Sequence, residues 1–186
     1  MPNPVSKIFA IILATLVMFM VPAYQNAKKQ EDLTYLNTYK VVTNFTDSVR
    51  LKGYITPDMY NEFALSLHTG TNVLFDIKME HKKKVYNPVY TDPNDLTTFT
   101  GDYQVDYESY VETQINEVLF DSNVPYENRM YKLQKDDEFS VTVTNKTKFK
   151  STMILDFLTA NIAGNDEVIY FPYGGIVLNE DWNERR

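Results

Sequence analysis

Ile8-Phe-Ala-Ile-Ile-Leu-Ala-Thr-Leu-Val-Met-Phe-Met-Val-Pro-Ala23 decides how this chain reads, because it holds no charge and Thr15 is its one hydroxyl. As a helix at 1.5 Å per residue the run spans about 24 Å, short of the roughly 30 Å hydrocarbon core of a bilayer. Val5 and Ser6 before it and Tyr24 to Ala27 after it supply the missing length. Tyr24 then sits at an interface, and Lys7, Lys28 and Lys29 reach for the headgroups. The expectation is a single-pass membrane anchor. Two other readings use the same residues. In one, Lys7 and the core Ile8 to Met20 form a signal peptide cleaved near Ala23, and the rest is secreted. In the other, the segment is the buried helix of a soluble core.

Outward from this run, apolar residues recur at Leu33, Leu36, Tyr39, Val42, Phe45 and Val49, in steps of three and four. That spacing predicts a helix with this face packed on the remainder of the chain. Lys52-Gly53 supplies a basic last turn and a stop. One helix from about Val5 to Lys52 is therefore expected, bent at Pro22, which lacks a backbone donor and crowds the preceding turn. The organisation reads as a tail and transmembrane segment over 1–30, its amphipathic continuation over 31–52, and a head over 53–186. Lys28, Lys29 and Lys40, counted alone, hold the head in the cytoplasm. A large domain after a first apolar segment translocates despite such charges, so the head is expected outside the cytoplasm.

Beyond Gly53, Thr56 as N-cap, Pro57 and Asp58 open a second helix whose buried stripe is Met59, Phe63 and Leu67, ending at Gly70. Val73, Phe75, Ile77 and Met79 alternate as a strand, and Val85 to Tyr90 reads as a strand pairing back onto it, with Pro88 at an edge. Lys82-Lys83-Lys84 then falls at a strand end or hairpin tip. Thr91 to Asp106 reads as a surface loop and Tyr107 to Phe120 as a helix. Met130, Tyr131 and Leu133 begin a strand, Asp136-Asp137 turns it, and Phe139, Val141 and Val143 point inward from the next. Ser151 to Ile162 reads as a short helix. The end reads as a hairpin closed by Pro172-Tyr173-Gly174-Gly175. Helices and antiparallel strands segregate without βαβ alternation, so the class is α+β.

The net charge is −7, which argues against nucleic acid as a partner, since phosphates demand a basic surface. There is no cysteine, which excludes disulfides and thiolate chemistry. His68 and His81 show no metal-ligand spacing and read as surface residues. Asp92, Asn94 and Asp95, or Asp102, Asp106 and Glu108, offer oxygens to calcium, but neither group follows the EF-hand order, and calcium stays a minor possibility. No phosphate-binding loop or nucleophile elbow occurs, and Gly174-Gly175 lacks the following helix a phosphate cradle needs. The expectation is a chain without enzymatic activity and without a cofactor.

The order of short tail, apolar helix with a proline near its end, amphipathic continuation and α+β head resembles type IV pilins and pseudopilins. In particular it is similar to the TadE-type pseudopilins of Gram-positive tight-adherence pili and related secretion or conjugation systems. The stretches Phe45-Thr-Asp-Ser-Val-Arg-Leu-Lys-Gly-Tyr-Ile-Thr-Pro-Asp-Met-Tyr-Asn-Glu-Phe63 and Lys135 to Leu158 carry the likeness. It departs from that family in having neither glycine nor acidic residue before Glu31. The resemblance implies a structural subunit whose apolar helix assembles with other pilin-like or secretion-system subunits. Ile8, Ile11, Ile12, Leu13, Leu16, Val17, Phe19, Met20 and Val21 would form that surface, with Pro22 as its bend. The alternative function is a tethered or secreted binding module that recognises a partner through Tyr-rich loops.

Overall fold

A computed structural model describes residues 3–69, 73–160 and 168–183. Its first element, α1, is a single helix over Pro4–Lys52 that continues through Pro22. At 1.5 Å per residue it is about 73 Å long, far beyond the three or four turns of an ordinary helix. Gly53 ends it in the left-handed conformation (φ 73°), its N–H donating to Val49 O at 2.7 Å. A Cβ at Gly53 would also strike the Asn179 carbonyl. Gly53→Ala is therefore expected to cost about 2–4 kcal/mol, from left-handed strain and overpacking together. Urea titration checks this; an unchanged midpoint would show that the junction gives way cheaply.

The head has α+β architecture. A short β1 (Tyr54–Ile55) leads to α2 (Pro57–Thr69), capped where Thr56 Oγ1 accepts from Met59 N–H at 3.3 Å. Then come β2 (Phe75–Tyr90), β3 (Phe99–Val111), α3 (Glu112–Leu119), β4 (Tyr131–Lys132), β5 (Glu138–Asn145), α4 (Lys150–Leu158) and β6 (Tyr170–Ile176). The main sheet is antiparallel in the order β3-β2-β5-β6, and β1 pairs with β4. Its inner face presents Ile77, Met79, Phe139, Val141 and Val143 to Val42, Phe45 and Val49 of α1 and Phe63 and Leu67 of α2. Phe45 stacks on Phe63 with ring centroids 4.2 Å apart and meets Phe139 edge-on at 6.4 Å. The upper end of α1 is thus a core element of the head. Arg50 fastens it to the far strand by donating to Ile176 O at 3.0 Å while pairing with Asp47 at 2.7 Å.

The packed face of α1 departs from the sequence expectation in its lower half. Val42, Phe45 and Val49 are buried, but Leu33 and Leu36 are 66% and 61% exposed and Tyr39 is half exposed. The buried positions are instead Glu31, Thr34 and Thr38. The cause is geometric. A step of three residues falls about 60° short of a full turn. Counted back from Val42 by threes, the stripe has rotated about 60° at Tyr39, 120° at Leu36 and 180° at Leu33. Tyr39 still reaches the edge of Phe171, with centroids 5.2 Å apart; the two leucines face away.

Three further expectations are corrected. The two strands placed at Val73–Met79 and Val85–Tyr90 are one strand, β2, with Lys82-Lys83-Lys84 in its middle. Its partner β3 occupies much of the stretch read as a loop and the first turn of the expected helix, leaving α3 to begin at Glu112. Gly174-Gly175 is no hairpin turn: β6 runs straight through it, opposite Ser140 and Phe139. A Cβ at Gly174 would lie 2.6 Å from Ser140 Cβ, and one at Gly175 would lie 2.8 Å from the Arg50 guanidinium carbon. Close approach of neighbours, not a turn, demands these two glycines. α4 ends at Leu158 with Thr159 as its C-cap, short of the Ile162 expected, and Gly70, expected to end α2, lies outside the described residues.

Candidate functional site

The lower half of α1 is long and apolar enough to cross a membrane. Ile8, Ile11, Ile12, Leu13, Leu16, Val17, Phe19, Val21 and Pro22 are all exposed. Met20 is partly covered. Water-soluble monomers rarely leave so long an apolar surface bare. It suits a membrane span or a signal sequence. The alternative of a helix buried in a soluble core is overturned, since none of the apolar window is buried.

Where this segment meets the head, burial sets in on one side only. Tyr24, Ala27 and Lys28 are half-covered, and Glu31, Thr34 and Thr38 are buried on the same side of α1. Glu31 pairs with Lys28 at 3.0 Å and accepts a hydrogen bond from Ser151 at the start of α4. A buried carboxylate with both a cation and a hydroxyl donor is a satisfied group. It ties the helix to the head one turn beyond Lys28.

The second polar cluster lies at the other end of the head, where sequence reading placed a surface histidine. His81 is buried, stacked on Tyr110 with centroids 5.6 Å apart. Its Nε2 is 2.9 Å from Asp137 Oδ2 and its Nδ1 is 2.7 Å from the Tyr131 hydroxyl. An ionised carboxylate only accepts, so Nε2 carries the proton, Nδ1 accepts, and Tyr131 donates. That assignment requires a neutral imidazole. Burial pushes the His81 pKa down against the opposing hydrogen bond and charge of Asp137, and Lys83 adds to the depression. The Tyr131 hydroxyl is pushed strongly upward by burial, then by Tyr110 and Asp137, and keeps its proton.

Asp137 also accepts from Lys84 N–H at 3.0 Å and from Gln134 N–H at 2.7 Å. It closes the turn that begins β5, where Asp136 adopts φ 72°. The pocket over this cluster is lined by His81, Lys83, Tyr110, Tyr131, Lys132, Gln134, Asp137 and Trp182 and has a volume of about 250 Å³. Each ring nitrogen of His81 and both oxygens of Asp137 are already engaged, so the cluster holds β2, β4 and β5 together. The sequence clue was the odd-numbered alternation Phe75, Ile77, Met79, which places His81 next on the inner face.

Because the folded-state pKa of His81 is depressed, its contribution to stability is complete above the unfolded value of about 6.5. It is lost as pH falls through the lower folded value. The urea midpoint of the wild type is expected to drop between about pH 7.5 and pH 5.5 by more than that of His81→Gln. Parallel pH profiles would contradict a neutral buried imidazole.

The Tyr-rich region proves to be strand, not loop. β5 pairs with β2 only as far as Lys82, and beyond it β2 and β3 continue as a two-stranded ribbon. Lys84 opposes Tyr107, Tyr86 opposes Val105 and Pro88 opposes Tyr103, so these side chains share one face. Tyr86, Tyr103 and Tyr107 are all exposed on it. The acidic residues once considered for calcium bond their own neighbours. Asp92 accepts from Asn94 N–H, Asp95 from Thr97 N–H, and Asp106 from Asn87 Nδ2. Among the described residues no cluster of three or more His, Cys, Asp or Glu is placed to hold a metal.

No family model, curated protein or solved structure matches this chain.

Proposed function

We propose that this chain is a membrane-anchored, non-enzymatic structural subunit of pseudopilin-like kind, with its head outside the cytoplasm. It assembles through α1 with other pilin-like or secretion-system subunits. The observation that carries this reading is the single helix Pro4–Lys52, bare and apolar at one end and built into the hydrophobic core at the other. A tether needs no such rigidity; a flexible linker costs less to order and serves as well. A helix clamped by Phe45, Val49 and Arg50 instead fixes the orientation of the head relative to the membrane segment. Leu33 and Leu36, turned away from the head, extend the apolar surface of α1 beyond the span and offer a contact for a neighbouring subunit.

The absence of cysteine makes a direct test available. Leu36→Cys, treated in intact membranes with a short thiol cross-linker, is expected to give dimers and higher species. Tyr103→Cys, far out on the ribbon, serves as comparison. A monomer band alone from Leu36→Cys would contradict assembly through α1.

The exposed aromatic face of the ribbon favours a second reading, a binding module. Tyrosines supply large, rigid contact area with a polar tip, and three in a row on an otherwise solvated ribbon fit recognition of a partner. Cross-linking absent at Leu36 but present at Tyr103 would favour it.

A further inference from the structure

We propose that α4 is an interfacial helix that lies in the lipid headgroup layer beside the membrane span and gives the head a second contact with the bilayer. The inference rests on the anchor reading of α1 and adds a surface to it. α4 runs over Lys150–Leu158 and buries Ser151 and Thr152. Its other side presents Met153 and Phe157, one helical turn apart, with Phe157 71% exposed. Leu158 is exposed next to them. Among the described residues Met153, Phe157 and Leu158 lie outside the hydrophobic core cluster, while Ser151 and Thr152 are turned inward with Ile154 and Leu155 partly covered. Three apolar side chains turned to solvent on so short a helix are unusual for a soluble surface helix.

Its position says what covers it. α4 is packed against α1, and the Ser151–Glu31 contact places its start one turn beyond Lys28 and Lys29, where the span leaves the membrane. From Glu31 down, the same side of α1 remains half-covered through Ala27 and Tyr24 to Met20. Part of the head therefore lies beside the last turns of the apolar segment. Lys146, Lys148 and Lys150 lead into α4 and are exposed, Lys146 pairing with Asp76 at 2.7 Å and Lys148 with Asp156 at 3.6 Å, so their attraction for an anionic lipid surface is in part already balanced. The continuity with the span selects lipid over a protein partner.

The test uses the full chain in vesicles of phosphatidylcholine and phosphatidylglycerol. Since no native thiol interferes, Phe157→Cys, Phe9→Cys and Tyr103→Cys are each labelled with an environment-sensitive fluorophore and quenched by nitroxide lipids. The label at 157 is expected to shift to the blue and lose most of its emission to a nitroxide placed near the headgroup. The label at 9, two residues from Lys7 at the opposite headgroup layer, is quenched by the nitroxide lipids as well, and the label at 103 by none. Emission at 157 that behaves like that at 103, with 9 still quenched, would overturn the interfacial helix and leave the anchor intact. Loss of quenching at 9 would mean that the anchor reading itself has failed, and the interfacial helix with it.

Discussion

Leu13→Asp moves the protein from the membrane fraction to the soluble fraction while the head keeps its melting transition. Leu13 lies near the middle of the apolar run, and its side chain is exposed. On insertion scales Leu favours the helix centre by about 0.5 kcal/mol and Asp opposes it by about 3, so the swing is some 3–4 kcal/mol. At about 1.4 kcal/mol per tenfold, membrane partitioning falls by more than a hundredfold. The segment has little reserve against this, being already shorter than the hydrocarbon core. The head does not depend on Leu13: the first buried position of α1 is Glu31, about five turns away, and the first in the hydrophobic core is Val42, about eight turns away. Alkaline extraction of membranes reads the first half of the prediction and a thermal melt the second. Retention in the extracted membranes would contradict the anchor.

The largest loss of head stability is expected for Asp137→Ala. Asp137 is 1% exposed and accepts from His81 Nε2, Lys84 N and Gln134 N, so its removal strands three donors. Breaking a buried, charge-assisted network of this kind costs about 3–5 kcal/mol. Against the 5–15 kcal/mol of a typical domain that is a large fraction, worth roughly 10 °C or more in Tm. Asp137→Asn retains the shape and one acceptor and is expected to fall between the two. A melt of Asp137→Ala within a degree or two of wild type would show that water replaces the carboxylate, and that the cluster is not what joins β2 to β5.

Much of this architecture was legible in the sequence, and each part that was not has its own physical reason. α1 and α2 announce themselves by apolar runs, caps and Gly53, and β5 by Phe139, Val141 and Val143, because each has one face in the core. β3 and the outer half of β2 bury almost nothing. With both faces in solvent, a ribbon has no hydrophobic period to read, and its tyrosines and threonines passed for loop. The lower face of α1 was missed for the converse reason. Glu31, Thr34 and Thr38 line it, so counting apolar residues selected Leu33 and Leu36 on other sides of the helix. Gly174 and Gly175 read as a turn, although what they permit is the approach of Ser140 and Arg50, residues remote in sequence. His81 was partly legible from its place in the alternation; its partners Tyr131 and Asp137, about fifty residues on, were not.

The central claim is that one helix serves as membrane anchor and as part of the head's core. Sequencing the amino terminus of the mature protein, together with cell fractionation, tests it most directly. The account predicts a membrane-bound chain that still carries Ile8 to Ala23. A soluble chain beginning at Tyr24 would contradict it, reducing the apolar run to a signal sequence and removing the surface on which assembly is proposed.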